Sequence, residues 1–287
     1  MKTLHKTALS AAAVALLSGL ACSTAFAADT PANPEDAGSP LSANVTVVSD
    51  YRYRGISQSN FKPAIQGGFD YAHESGFYIG NWNSSISWIS DAAPATANTR
   101  VTAPIEMDFY GGIKKEFIGE GFASDFGVLQ YYYPTSGLNV SGTTANPNTT
   151  ELYAAQNFTF GAVTGFVKFS YSVSPIFGFA NSTGSYYPDL TVNYDTGVWG
   201  LALNAHVGYQ YVAGNVQGST TGASNSSLYS YTDWKLGVTK DFGGGLSLSA
   251  AYIGTDAGKT GSVYNYTSPT GKNLGGSTGI VALTKTF

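Results

Sequence analysis

Glu106 and Asp108 are two carboxylates at alternate positions of the segment IEMDFYGG, and His206 sits in LALNAHVGYQY in step with Asn204 and Gln210. Carboxylates within reach of one another can do acid–base work, and a histidine can be a base or a metal ligand. Neither group acquires partners along the chain. No HxxxH, no paired ligand spacing and no nucleophile motif accompanies His206. His73 falls in the turn-like AHESG, and the one cysteine, Cys22, falls in the N-terminal leader. DFGGG at 241–245 matches a kinase motif by letters alone and reads as a glycine turn. Glu106 and Asp108 then read as a charged ladder on one face of a strand. The expectation is no catalytic residue, no metal and no cofactor.

A second group is more densely arranged. In SDYRYRGIS, residues 49–57, Asp50, Arg52 and Arg54 share one parity and Tyr51 and Tyr53 the other. A strand sends successive side chains to opposite faces, so it would sort charge from aromatic ring. Two such faces suit a wall with water on one side and lipid on the other. The tyrosines would meet lipid near an interface. The arginines would point inward near a mouth, where two cations would give a local anion preference weakened by salt.

The elements that would carry these residues follow from the rest of the chain. MKTLHK, then TALSAAAVALLSGLA, then AFA at 25–27 has the order of a secretory signal peptide cleaved after Ala27. ADTPANPEDAGSP at 28–40 reads as a disordered periplasmic tail. Charged residues make up 11% of the chain, beside 35 Gly, 20 Tyr and 16 Phe, and the formal charge is −4. Soluble domains carry about 25% charged residues, and nothing is basic enough for nucleic acid. Exported, tyrosine-rich and poor in helix patterns, the chain is either a soluble sandwich or an outer-membrane barrel.

Period-two alternation recurs in twelve segments, near 41–56, 64–72, 77–90, 104–114, 122–133, 151–160, 165–179, 186–195, 199–212, 229–240, 246–254 and 278–287. The parity of 122–133 is open, because Asp125 is in step with Leu129 and Tyr131. Short turns alternate with longer Ser/Thr/Asn/Gly-rich connections, the one near 180–185 being the weak case. Membrane barrels alternate in this way because tight turns face the periplasm and long loops face outside. The fold class expected is all-β: a closed antiparallel transmembrane barrel of about twelve strands in an up-and-down meander over 41–287. Tyr51, Tyr53, Trp88, Tyr131, Tyr133, Tyr209 and Tyr211 lie beside the long connections and suit an aromatic girdle at the membrane interface. Phe287, the end of GIVALTKTF, suits an assembly signal on the last strand.

ANVTVVSDYRYRGISQSN, IEMDFYGGIKKEF and LTKTF resemble the TorF-type porin family of proteobacteria across most of 41–287. The resemblance implies an outer-membrane barrel and a pore without a known substrate. Three functions follow. The first is a channel for passive diffusion of small hydrophilic solutes across the outer membrane of a Gram-negative bacterium. The second is a filled structural or adhesin-like barrel. The third is a barrel-wall hydrolase, disfavoured because His206 is on the polar parity. Channel-lining candidates are Asp50, Arg52, Arg54, Asp70, Glu106, Asp108, Lys168, His206, Asp233 and Lys235. The expected partners are outer-membrane lipids and lipopolysaccharide, the barrel-assembly machinery and the solutes themselves.

Overall fold

Each of those twelve segments holds one paired strand of the barrel, although those near 41–56, 77–90 and 165–179 run past the strand's end at Val48, Ser85 and Ser172. The computed structural model describes residues 40–92, 101–138, 145–220 and 222–287. The expected signal peptide, and the expected tail up to residue 39, lie outside the described residues.

The strands are β1 (Leu41–Val48), β2 (Ala64–Ala72), β3 (Phe77–Ser85), β4 (Ile105–Gly119), β5 (Phe122–Tyr132) and β6 (Thr149–Phe160). They continue as β7 (Val163–Ser172), β8 (Tyr186–Asp195), β9 (Leu201–Gln210), β10 (Tyr231–Asp241), β11 (Leu246–Thr255) and β12 (Thr278–Thr286). Each pairs antiparallel with its chain neighbours, and β1 closes the ring on β12. The closing register sets Val45 against Lys285 and Val47 against Leu283.

The alternation explains why the ring faces the way it does. Each strand shows an exposed apolar side chain outside: Val47, Ile65, Ile79, Phe109, Val128, Leu152, Val167, Leu190, Leu203, Leu236, Leu248 and Val281. The opposite parity is buried and polar, including Thr46, Gln66, Glu106, Asp108, Asn193, Asn204 and Thr239. Exposed apolar surface of that extent has no place in water and matches the hydrocarbon band of a membrane barrel. The parity of β5 is now settled: Phe126, Val128 and Tyr132 are exposed, while Asp125, Leu129 and Tyr131 are buried.

Connections 73–76, 120–121, 161–162, 196–200 and 242–245 are short and share one end with both chain ends of the barrel. Connections 49–63, 86–104, 133–148, 173–185, 211–230 and 256–277 are long and share the other. The weak case near 180–185 thus falls in the long set. Among the described residues two one-turn helices occur in these loops, α1 (Trp88–Ala92) and α2 (Asn225–Tyr229). Ser224 caps α2 by accepting from the Ser227 N–H at 3.2 Å.

Candidate functional site

The first long loop does not continue the wall. β1 was expected to run to residue 56, but it ends at Val48 and the chain turns into the lumen. There Arg52–Tyr53 pairs with Ile56–Ser57 as a small antiparallel hairpin. Its two turn residues, Arg54 and Gly55, have φ of 46° and 78°. A two-residue type I′ turn needs positive φ at both positions. For Arg54 the left-handed region costs about 1–2 kcal/mol, so something must hold it there. Gly55 is seated so closely that a Cβ would lie 2.3 Å from Thr255 Cγ2 and 2.9 Å from Asp233 Cβ. The hairpin tip therefore rests on β10 and β11, three and two strands around the ring from β1.

The arginines hold this position. Arg52 Nε donates to Asp50 Oδ2 at 2.6 Å. Its Nη1 donates to the carbonyls of Gly55, Leu274 and Gly276 at 2.9, 2.8 and 3.1 Å. That joins the first loop to the last. Arg54 Nη2 reaches both oxygens of Glu151, at 3.0 and 2.8 Å, and Nη1 donates to Gln210 Oε1 at 2.6 Å. Its guanidinium also lies 4.2 Å from the centre of the Tyr187 ring. Glu151 is on β6 and Gln210 on β9, both far around the ring from β1. The hairpin crosses the lumen and is clamped at its far side.

The lumen carboxylates are met largely by phenols. Glu106 accepts from Tyr51 at 2.5 Å and from Tyr133 at 2.7 Å. Asp70 accepts from Tyr110 at 2.5 Å, Asp125 from Tyr78 at 2.6 Å and Asp233 from Tyr187 at 2.7 Å. Tyr131 reaches Glu151 at 3.2 Å and shares a hydrogen bond with Tyr53. A buried carboxylate needs donors, and a phenol supplies one without adding charge. His206 lies among Asp233 (3.0 Å), Tyr187 (2.9 Å) and Thr191 (3.0 Å). Among the described residues no group of three or more His, Cys, Asp or Glu is placed to hold a metal ion.

This geometry corrects the aromatic assignment. Tyr51, Tyr131 and Tyr133 are 1%, 0% and 4% exposed and lie inside. Tyr53 is on the hairpin, and Trp88 on α1 packs edge-on against Tyr133, rings 5.5 Å apart. The reasons are physical. The first loop leaves the wall before Tyr51, and the odd parity of β5 points inward to Glu151 and Glu106. Tyr211 is half-buried and stacks on Tyr186 at 4.7 Å. Of the seven, Tyr209 stands exposed on the outer surface. Near the long-loop end it is joined outside by Tyr132, Tyr171, Trp234 and Tyr252. Parity alone would have found these, since each is in step with an exposed aliphatic on its strand.

The charged candidates are also redistributed. The Arg52 side chain is 0% exposed and paired with Asp50, and Arg54 is paired with Glu151. Neither supplies the free cation at the mouth on which an anion preference was argued. Asp70, Glu106, Asp108, Lys168, His206, Asp233 and Lys235 belong to the inward parity of their strands, where Lys168 Nζ lies 4.5 Å from the Tyr153 ring centre and Lys235 is the register partner of His206. Sequence reasoning missed Glu151 and Tyr187, named Gln210 only as a marker of the polar parity, and left the face of Asp125 open. The signal for Glu151 was its parity with Tyr153, two residues along a strand that opens at Thr149. Phe287 is 72% exposed, and its N–H donates to the Ala43 carbonyl at 2.8 Å.

Above the hairpin, at the long-loop end, lies a cavity of about 240 Å³. Tyr53, Ile56 and Ser57 of the hairpin form part of its wall, with Trp88, Tyr133, Phe177, Tyr231 and Tyr266 around them.

A family model described as "Bacterial protein of unknown function (Gcw_chp)" matches residues 32–287. That description carries neither the TorF name nor an activity. Among solved structures, the chain is similar to the KdgM porin with a TM-score of 0.50 at 6% identity, covering 86% of this chain and 99% of that one. The KdgM porin in complex with disordered oligogalacturonate gives 0.48 at 7%, covering 86% and 98%. OccAB3 of Acinetobacter baumannii gives 0.41 at 8%, covering 88% and 66%. At these identities the likeness is one of fold. No curated protein matches the sequence.

Proposed function

This chain belongs to the Gcw_chp family of bacterial proteins, and we propose that it is an outer-membrane channel of a Gram-negative bacterium, passing small hydrophilic solutes by passive diffusion through a lumen narrowed by its first loop. The observation that carries this reading is the hairpin of residues 52–57 lying across a polar lumen inside an apolar shell. Twelve strands fall between filled eight-stranded barrels and wide sixteen-stranded porins. A lumen of that width is narrow enough for one inserted loop to set its cross-section. On this reading residues 1–27 direct export, the long loops face outside among lipopolysaccharide, and Phe287 on the last strand is read by the barrel-assembly machinery. The inward His206, held by Asp233 and Tyr187, counts against hydrolysis of membrane lipid.

A second reading has its own observation. Arg52 is wholly shielded and tied to four acceptors, as a permanent internal strut would be. On that reading the barrel is a filled structural or adhesin-like element. Single-channel recording of the purified full barrel in a planar bilayer decides between them. Discrete conductance steps in the wild type, enlarged when the hairpin clamp is removed, support the channel. Silence from both proteins supports the filled barrel.

A further inference from the structure

The cavity above the hairpin has a composition that selects for charge. Seven aromatic rings wall it: Tyr53, Trp88, Tyr133, Phe177, Phe179, Tyr231 and Tyr266. They come from separate parts of the ring. Trp88 and Tyr133 stand edge-to-face at 5.5 Å and 89° on the loops after β3 and β5. Tyr231 and Tyr266 stand edge-to-face at 5.2 Å and 78° at the start of β10 and on the loop after β11. Phe177 packs edge-to-face with Tyr53 at 5.5 Å and 78°. Aromatic faces are electron-rich and attract cations within about 6 Å.

Two further observations give the occupant's sign. Among the described residues Asp91 is the one charged group at the cavity wall. One of its oxygens accepts from Ser87 at 2.7 Å. No lysine or arginine among them lines the wall, and an anion would find a carboxylate there and no lining counter-charge. Moreover, two of these rings already receive a cation. The Arg54 guanidinium lies 4.9 Å from the Tyr53 centroid and 6.0 Å from that of Phe177. Its charge is balanced by Glu151 at 2.8 Å, so it does not close the cavity to a second cation.

We propose that this vestibule binds small organic cations of the alkylammonium class, with the rings taking the cationic head and Asp91 its charge. At about 240 Å³ it is smaller than the ~300–1,000 Å³ of pockets for drug-sized ligands, which limits the occupant to a compact head group. The proposal names a solute class for the channel reading and rests on that reading only for what happens after binding.

The probe is choline chloride, titrated into the full barrel purified in a maltoside detergent that carries no ammonium group, and followed by calorimetry and by tryptophan emission. The expected result is saturable binding. Dimethylbutanol, the uncharged isostere, should bind at least about tenfold more weakly, since each desolvated ring contact to a cation is worth up to about that factor. Asp91→Asn should weaken choline about two- to fivefold, and Trp88→Leu about tenfold. Equal binding of the isostere overturns the proposal in favour of a merely apolar pocket. Binding of glucose but not choline overturns it in favour of a neutral saccharide site, and binding of none of the three removes it altogether. The wild-type comparison needs no variant to fold. Choline binding without conductance retains the site and removes the channel, and conductance without choline binding does the reverse.

Discussion

Arg54→Met tests the clamp most directly. The substitution keeps a long side chain against Tyr187 but removes the charge that faces Glu151. Both side chains of this pair are nearly inaccessible, 6% and 0% exposed. Removing one partner of a buried pair costs about 3–5 kcal/mol, because the other charge is left unpaired. Here Glu151 would keep the Tyr131 hydroxyl at 3.2 Å and the Ser172 hydroxyl at 3.3 Å. Two remaining donors place the penalty lower, at about 2–3 kcal/mol. At about 1.4 kcal/mol per decade, the hairpin's docked-to-released ratio falls roughly 30- to 150-fold. The barrel ladder is untouched, so assembly should not change.

Two assays follow the release. Amide hydrogen exchange of segment 49–63 reports it without assuming a channel, and should quicken by a similar factor if exchange proceeds through local opening. Single-channel recording should show longer or larger openings. Because Arg52 still binds the Leu274 and Gly276 carbonyls, intermittent rather than permanent opening is expected. Adding Glu151→Gln removes the stranded charge, so the double variant should return part of the way to wild-type exchange. Wild-type exchange in the single variant, or additive effects in the double one, would refute the clamp.

Gly55→Ala should release the same hairpin by another route, since its Cβ would meet Thr255 Cγ2 at 2.3 Å and its φ is 78°; unchanged exchange over 49–63 would show that the tip is not seated there. Leu236→Arg, on a side chain 65% exposed at the middle of β10, should destabilise the barrel in lipid vesicles by about 2–4 kcal/mol. Urea titration of tryptophan fluorescence measures it, and an unchanged midpoint would mean that this face does not meet lipid. Deleting Phe287 should lower the yield of heat-modifiable barrel, because it removes both the terminal aromatic and the N–H bonded to Ala43; wild-type yield would show that the terminal residue is not read.

The twelve strands were legible because alternation is local. Val45 and Val47 against Thr46, or Leu203 against Asn204, declare two faces within a few residues, and no distant partner is needed to see them. The loop rhythm was legible for the same reason. The first loop was half legible. Arg52 and Tyr53 do alternate in extended backbone, as expected, but in a hairpin that leaves the wall. The turn is Arg-Gly rather than the Asn-Gly or Asp-Gly that announces a type I′ hairpin. Arg54 occupies its unfavourable φ because Glu151 and Gln210 hold it, and those partners stand 97 and 156 positions away.

Tyrosine was the hardest residue to place, for a reason that also explains its abundance. Tyr131, Tyr132 and Tyr133 are consecutive, and their letters carry no face; Tyr132 is 43% exposed while its neighbours are 0% and 4%. What divides them is the hydroxyl's destination. Outside, a ring against lipid with its hydroxyl at the head groups is stable at the interface. Inside, the same ring fills the lumen and its hydroxyl satisfies a carboxylate on another strand, Glu106 for Tyr133 and Glu151 for Tyr131. A lumen lined with acids could instead be neutralised by lysines, but each would bring desolvation and rotamer costs of its own. Phenols avoid the second charge, so 20 tyrosines can accompany only 11% charged residues. The composition was therefore a record of two environments, a membrane interface and a carboxylate-bearing interior. Separating them required knowing which carboxylate each hydroxyl reaches across the barrel.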